Sequence, residues 1–534
     1  MSLQFIFGNS GSGKSHYLYQ QIVEESIRHP EKNYLVLVPE QFTMQTQKDL
    51  CMAHPRGGIM NIDVLSFGRL AHRVFEETGK ERQPILDDEG KNLVLRKIAG
   101  NYEDELTVLK GDLKKQGYIS EVKSVISEFT QYGIDFEQLD SFMEGLNPES
   151  YLYYKLKDIR KVYEGFEDYL RDKYITKEEL LDVLSQTVPE AKMLKDSVIA
   201  MDGFTGFTPV QNRLIGELLK VCDKIMLTVE IDRREDPFVY KHPYQLFALS
   251  KQMVTSLTEV AQEVRVEIDE PVWLCKNPSY RFKENPEMAF LEEELFRYSR
   301  RKYSGEKMRS ISLHEVHTPQ EEAQYVAEEI RRLVREEGYR YREIAVIASD
   351  LSTYADALEK ACDRYEIPVF MDHKKSILLN SFVEYLRSLL VMVEQNYTYE
   401  SVFRYLRTSL CGFTRDEVDR LENYCLALDL KGFKKWDQVW VRKTPMTTKE
   451  ELEELNHLRM RFVEKLTPLH TVLKKRKKTV KEITLAVYEY LVQEKIQEQL
   501  AELEQKFQED GELALAKEYA QIYRIVLELF DKFV

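Results

Sequence analysis

Gly8-Asn9-Ser10-Gly11-Ser12-Gly13-Lys14-Ser15 fits the pattern G-x-x-x-x-G-K-[ST], a loop that wraps phosphate groups. The apolar run Leu3-Gln4-Phe5-Ile6-Phe7 stands before it, and a helical pattern with Leu18, Ile22 and Val23 on one face stands after it. Strand, glycine loop and helix together are the context this motif needs. The glycines let backbone N–H groups turn inward around phosphate oxygens. The helix behind them offers its positive dipole end to the same anion. In that reading Lys14 reaches the β- and γ-phosphates of ATP and the Ser15 hydroxyl holds Mg²⁺.

Outward from the loop, residues 1–80 alternate strands and helices. Tyr34-Leu35-Val36-Leu37-Val38 is a continuous apolar run ended by Pro39, which suits a buried parallel strand. A helix over 40–53, a Pro-Arg-Gly-Gly turn at 55–58 and a strand at Ile62–Leu65 follow, with right-handed crossovers expected. From about 85 to 190 the pattern is helix after helix, with no convincing strand. Strand signals return at Ser197–Met201 and Lys224–Val229, so one parallel sheet is expected in two halves split by a helical insertion. A second α/β unit begins near 308, with strands predicted at Ile311–Val316, Ile344–Ile347 and Ile367–Phe370 and helices over 319–337, 352–365 and 380–394. Beyond 398 the chain reads as helical and highly charged.

An ATPase of this class needs an acid at the end of a second strand to orient Mg²⁺, and usually a neighbouring Glu to activate water. Val198-Ile199-Ala200-Met201-Asp202 supplies the strand and the first acid. The next residue is Gly203, which cannot act as a base, and Glu217 sits on a helix too far along to replace it. Asp202-Gly203 is also a turn signal in its own right. ATP·Mg²⁺ binding is therefore expected and fast hydrolysis is not.

The 534 residues are 43% hydrophobic and 31% charged, with a net charge of −15. The apolar runs fall far short of a membrane span. The start of the chain runs directly into a strand rather than a secretory signal, which points to the cytoplasm. Six cysteines lack C-x-x-C spacing, which argues against zinc and against a disulfide framework. The last helical pattern runs to Phe533-Val534 without a capping glycine, as expected of a piece of a longer protein. The acidic mean charge does not advertise nucleic-acid binding, although a local basic channel would allow it.

Four segments together resemble the B subunit of AddAB-type helicase–nucleases: Gly8–Ser15, Val38-Pro39-Glu40-Gln41-Phe42-Thr43, Val64-Leu65-Ser66-Phe67-Gly68-Arg69-Leu70, and Asp202-Gly203-Phe204-Thr205-Gly206-Phe207-Thr208-Pro209. Leu421-Glu422-Asn423-Tyr424 with the nearby Trp436 is similar to a further stretch of that family. The resemblance implies an α/β fold of two RecA-like P-loop domains of superfamily 1 helicase type, each with a large helical insertion. The first would comprise 1–84 and 196–285, with 85–195 inserted. The second would be 286–397, incomplete, followed by a truncated helical insertion at 398–534. It also implies a heterodimer with an AddA-type partner, the active motor, which resects double-strand breaks for recombinational repair. The AddB-type chain would track single-stranded DNA and read Chi. A RecB-like nuclease domain with a 4Fe-4S cluster would lie in a C-terminal half outside this sequence. No cluster ligand is therefore expected among the cysteines present.

Active superfamily 1 motors carry a Glu after the strand-end Asp, a Gln upstream of the P-loop and an Arg after the strand matching Ile344–Ile347. Here Gly203 stands at the first place, Gln4 lies within the strand, and Ala348-Ser349-Asp350 occupies the third. A motor that kept its nucleotide pocket and lost its engine is the reading. The alternatives are a self-sufficient helicase or translocase, a scaffold with a vestigial P-loop and, more remotely, a small-molecule kinase. For DNA, Gln41, Thr43, Ser66, Phe67 and Arg69 follow strand ends where helicase-like folds face single strands, with Phe67 equally a core aromatic. Phe204 and Phe207 form a second such loop or pack inside. Lys431–Trp436 with Trp440, Arg442 and Lys443 interleaves basic and aromatic residues as nucleic-acid or protein–protein contacts do. Lys474–Lys478 reads as a solvated basic loop, with duplex DNA as the alternative. His314 and His317 lack companions for a metal site, and Cys362 reads as a buried helix residue.

Overall fold

The computed structural model describes residues 1–79, 84–171, 173–305, 308–371, 376–444 and 447–534. The chain divides into two compact units, Met1–Leu313 and His314–Val534.

The first unit is built on a parallel sheet. Its strands are β1 (Ser2–Gly8), β2 (Tyr34–Leu37) and β3 (Ile62–Leu65), with α1 (Lys14–Arg28), α2 (Thr43–Ala53) and α3 (Phe67–Thr78) as the intervening and following helices. A short 3₁₀ turn at Glu40–Phe42 leads into α2. The chain then enters the insertion: β4 (Ile85–Leu86), α4 (Asp88–Asn101), α5 (Gln116–Tyr132), α6 (Phe136–Glu144), α7 (Tyr151–Leu170), β5 (Ile175–Thr176) and α8 (Leu180–Thr187). It returns through β6 (Val198–Met201), α9 (Pro209–Leu219), β7 (Lys224–Glu230), α10 (Ala248–Glu263), β8 (Glu267–Ile268), β9 (Val272–Trp273) and α11 (Pro286–Glu294). The sheet order is β3-β2-β6-β7-β1-β8, with β9 also on β1. Strands from before and after the insertion are thus interleaved in one sheet, as the returning strand signals predicted.

Burial on both faces explains the continuous apolar runs. Leu3, Phe5 and Phe7 of β1 pack on one side of the sheet with Leu35, Ile199 and Leu227. Ile6, Val36, Ala200 and Met226 face the other side, against Leu18 and Ile22 of α1. Each fully buried aliphatic side chain of this kind contributes about 1.5–3 kcal/mol, so the helical stripe of α1 is what seats it under the loop it follows.

Two sequence expectations are corrected inside the insertion. It is not purely helical: Ile85–Leu86 and Ile175–Thr176 form a two-stranded parallel ladder where the chain leaves and re-enters the sheet domain. Strands of two residues are too short to leave a periodicity. Its last portion, Leu180, Leu184, Val188, Ala191 and Leu194, packs into the core of the main sheet with Leu70 and Val74 of α3 rather than into the helical bundle. The bundle proper has its own core of Leu95, Ile98, Ile126, Val162 and Phe166.

Within this bundle Glu167 of α7 has its carboxyl pushed up to about 7, first by burial and then by Glu179. The folded state therefore holds a proton that the unfolded chain releases near the ordinary value of 4.5. Stability from this site is present at low pH and is lost as pH rises through about 7. Glu167→Gln should raise the thermal midpoint at pH 8 and give a much smaller gain at pH 5. An equal gain at both values would show that Glu167 does not titrate in this window.

In the second unit, α12 (Pro319–Glu336) and α13 (Leu351–Arg364) form as the sequence predicts and pack through Ala323, Ala327 and Ile330 on Leu358, Ala361 and Cys362. Cys362 is buried here, and burial pushes its thiol up. The predicted strands do not form: the described residues of Ile311–Val316, Ile344–Ile347 and Ile367–Phe370 carry no strand, so the second sheet is absent among them. Leu313 is 97% exposed, Ile347 93% and Phe370 91%. Short apolar runs signal a wish for burial, but a strand exists only where neighbouring backbones complete its hydrogen bonds. Asp350 caps α13 by accepting from the Ser352 N–H at 3.0 Å.

The rest of the unit is helical: α14 (Ser381–Glu394), α15 (Tyr399–Leu406), α16 (Arg415–Ala427), α17 (Phe433–Asp437), α18 (Lys449–Leu473), α19 (Val480–Gln493), α20 (Ile496–Glu509) and α21 (Leu513–Phe533). Trp436 and Trp440 are buried in its core against Phe462 and Tyr424. Arg459 donates to the Trp436 carbonyl at 2.7 Å, and Asn456 brackets Trp440 by accepting from its N–H and donating to its carbonyl, each at 2.9 Å. The basic–aromatic stretch is therefore a packing device at its two tryptophans. Its composition resembled a ligand surface because composition does not report which way a ring points. Lys474–Lys478 forms the exposed turn between α18 and α19.

Candidate nucleotide-binding site

The P-loop leaves the carboxyl end of β1 at Gly8 and enters α1 at Lys14. Gly11 and Gly13 adopt φ of +71° and +93°, a left-handed backbone that residues with a Cβ rarely take. A Cβ on Gly8 would lie 2.4 Å from Ser12 Oγ, and one on Gly11 would lie 2.6 Å from Arg281 Cβ. Residues Ser10 to Ser15 line a cavity of about 390 Å³ together with Asp202, Thr228, Glu230 and Arg281. The carbonyls of Gly8 and Asn9, outside the cavity lining, each accept from Lys14 Nζ at 2.9 Å. Helix α1 has no side-chain cap and no acid in its first turn, so its free N–H groups and dipole are unopposed. Burial lowers the Lys14 ammonium, while Glu230 and Asp202 pull it back up.

Asp202 follows β6, beside β7, and is buried. Its carboxylate accepts from Ser15 Oγ at 3.1 Å, Tyr19 OH at 2.7 Å and Thr228 Oγ1 at 2.5 Å. The turn reading and the ligand reading of Asp202 meet here: Gly203 has φ +78°, so the position after the acid is held in a conformation suited to glycine. A Cβ at Gly203 would make only ordinary contacts with Pro39 and Phe42, so backbone conformation rather than space is what disfavours a Glu. Glu217 bonds to Lys220 at 2.7 Å and does not line this cavity. Gln4 donates to the Glu270 carbonyl at 3.1 Å and is likewise outside it.

A segment that the sequence reading missed folds over the loop. The Arg281 N–H donates to the Gly11 carbonyl at 3.3 Å, which sets the arginine at the mouth of the cavity. The preceding ring, Tyr280, is 59% exposed and lies beside Gly13, with Lys276 over its face at 4.3 Å. Two hundred and more residues separate these groups from the P-loop, so spacing gave no signal. Three side-chain oxygens around the loop, Asn9 Oδ1, Ser12 Oγ and Ser279 Oγ, are buried without a hydrogen-bond partner. Such atoms each cost about 1–3 kcal/mol when left unpaired. Ser12, Lys14 and Arg281 on the cavity wall, with the uncapped N-terminus of α1, fit a polyphosphate. Ser15 and Asp202 fit its Mg²⁺, which would supply charge neutralisation at the phosphates.

The expected DNA residues separate into two sets. Phe67 is buried against Phe204 and Phe207, with ring centroids 5.5 and 6.2 Å away, and so is a core aromatic. Ser66 is buried and caps α3, accepting from the Arg69 N–H. Thr43 is buried and donates to the Glu40 carbonyl at 3.0 Å. Gln41 is exposed in the 3₁₀ turn after β2 and Arg69 is exposed in the first turn of α3 after the neighbouring strand β3, and Phe42 beside Gln41 is exposed as well. Among the described residues no three or more His, Cys, Asp or Glu side chains converge as an all-protein metal centre would require, and His314 bonds to Tyr325 OH at 3.0 Å. No helix is long and apolar enough to cross a membrane among the described residues.

Comparison with known proteins agrees with this geometry. The family described as ADDB, N-terminal, matches residues 5–292, and the UvrD-like helicase C-terminal domain matches residues 281–533. The B subunit of the ATP-dependent helicase/deoxyribonuclease of Lachnoclostridium phytofermentans is 40% identical, over 100% of this chain and 47% of that protein. Its counterpart in Clostridium novyi is 32% identical, over 100% of this chain and 46% of its own length. That of Caldanaerobacter subterraneus is 33% identical over 100% of this chain and 46% of its own length. The chain thus spans about half the length of the curated relatives it matches. With the P-loop match now seated in a built pocket, the chain belongs to the AddB family, the B subunits of ATP-dependent helicase/deoxyribonucleases, of which it carries the N-terminal helicase-like portion.

Proposed function

We propose that this chain is the ATP-binding, DNA-tracking part of a heterodimeric helicase–nuclease, with a motor of its own that is degenerate. The observation that carries the reading is the pairing of a complete P-loop pocket with Gly203 at φ +78° beside Asp202. Lys14, Ser12 and Arg281 would hold the phosphates, the Tyr280 ring offers a face to the base, and Ser15 and Asp202 would hold Mg²⁺. The acid that usually follows the strand-end Asp is replaced by a backbone conformation that disfavours it.

In the assembled enzyme the motor would be an AddA-type partner, and the reaction would be resection of double-strand breaks in the cytoplasm. Gln41 and Phe42 of the 3₁₀ turn after β2, with Arg69 of α3, would meet the single strand as it is scanned for Chi, through phosphate contacts and stacking. Within this reading, 1–84 with 196–285 forms the first RecA-like domain, 286–397 an incomplete second one, and 85–195 and 398–534 the inserted helices. In this reading a nuclease domain with a 4Fe-4S cluster would lie in a C-terminal half outside this sequence, in keeping with a chain that spans about half the length of its curated relatives.

The chain alone should gain thermal stability from ATPγS·Mg²⁺. With single-stranded DNA it should hydrolyse ATP about 100-fold or more below the rate of the heterodimeric enzyme, the loss expected when a proton-accepting acid is missing. Hydrolysis by the chain alone at the assembled rate would replace this reading with a self-sufficient motor. The presence of Arg281 at the cavity mouth is the observation that favours that second reading.

A further inference from the structure

Strand β7 carries two side chains onto the face of the nucleotide cavity. Residues two apart in a strand leave the same face. Thr228 shows which face this is, because its Oγ1 donates to Asp202 Oδ1 at 2.5 Å. Glu230 is two residues further toward the carboxyl end, and its Cα is paired with Gly8, the first residue of the P-loop. Its side chain is exposed into the cavity that Lys14, Ser15 and Asp202 also line.

The two acids differ in how they are engaged. Asp202 Oδ1 accepts from Ser15 and Thr228, and Oδ2 accepts from Tyr19. Moving a proton onto it would break that arrangement. No described residue hydrogen-bonds to the Glu230 carboxylate, yet its charge acts on Lys14 more strongly than that of Asp202. It is a free acid one strand from the P-loop, beside the lysine that meets the terminal phosphates.

We propose that Glu230 takes the role of the acid missing at position 203, orienting the attacking water and accepting its proton. The inference rests on the ATP-binding reading. In the step, the water oxygen forms a bond to the γ-phosphorus. The bond from that phosphorus to the β–γ bridging oxygen breaks, with its electron pair leaving on ADP. The water proton passes to Glu230 and then to solvent. An exposed side chain with no supporting hydrogen bonds is poorly preorganised, so turnover by this route is slow. Slow turnover suits a nucleotide site whose state changes once per event rather than once per base.

The test uses the chain by itself, so that a partner's ATPase does not mask the signal. Glu230→Gln should keep the ATPγS-induced rise in melting temperature, because it removes no phosphate contact. Its single-turnover hydrolysis should fall by about 100-fold or more. Nucleotide recovered after incubation should be mostly ADP from the wild type and mostly ATP from the variant. Glu230→Asp, which keeps a carboxylate, should retain more of the hydrolysis than Glu230→Gln. Hydrolysis at the wild-type rate by Glu230→Gln, or none by the wild type, overturns the role of Glu230 and leaves nucleotide binding standing. Absence of any nucleotide-induced shift in the wild type overturns the binding reading, and this inference with it.

Discussion

Lys14→Ala should abolish the thermal stabilisation that ATPγS·Mg²⁺ gives this chain. Lys14 Nζ is parked on the carbonyls of Gly8 and Asn9, at 2.9 Å each, in a setting that burial makes unfavourable for its charge. A phosphate in the cavity exchanges those neutral acceptors for anionic ones, and charge-assisted bonds are roughly twice as strong. Ligand at 100 times its Kd stabilises the folded state by about 2.7 kcal/mol, or about 2–4 °C in melting temperature for a domain of this size. The variant should melt near the wild-type temperature without nucleotide, since both carbonyls keep a backbone donor, Gly8 from the Ile231 N–H at 3.0 Å and Asn9 from the Ser12 N–H at 3.2 Å. A shift retained in Lys14→Ala would mean that the nucleotide binds elsewhere or that the P-loop is vestigial.

Asp158→Ala should be among the most destabilising single substitutions in the helical insertion. Asp158 is buried on α7, and its carboxylate accepts from the backbone N–H groups of Thr107, Val108 and Leu109 at distances from 2.6 to 3.0 Å. That irregular stretch has no ladder to satisfy these donors, so the side chain does the work of secondary structure. Hydrogen bonds to a charged group are worth about 1.5–3 kcal/mol each and are not additive, so a total near 3–5 kcal/mol is expected. Asp158→Asn, which keeps one acceptor, should lose less. Thermal unfolding and limited proteolysis between α4 and α5 read the effect. A melting temperature within about 1 °C of wild type for Asp158→Ala would refute it. The nucleotide-induced shift should survive this change, because the bundle core is separate from the sheet core that carries the P-loop.

Where function depends on local backbone chemistry, the sequence was readable. Gly8–Ser15 declares a phosphate loop because each glycine answers a local steric demand, and the structure gives Gly11 and Gly13 the positive φ that the motif implies. Asp202 was legible for the same reason, as an acid at the end of an apolar run. The DNA residues were less so: Phe67 and Gln41 follow equivalent strand ends, yet one is buried and the other exposed. Trp436 and Trp440 mislead similarly, since a basic neighbourhood says nothing about whether a ring faces solvent or core.

The sequence by itself determined the nucleotide loop, the parallel sheet split by an insertion, and the helical character of the second unit. These follow from rules that act over a few residues: φ preference, apolar periodicity and capping. Only the tertiary structure decided that Arg281, Tyr280 and Glu230 join the P-loop, because they reach it through chain crossings and strand register rather than spacing. It likewise decided that the apolar segments at Ile311–Val316, Ile344–Ile347 and Ile367–Phe370 carry no ladder. An apolar pattern is a property of the segment, whereas a strand is a property of the segment together with the backbone beside it.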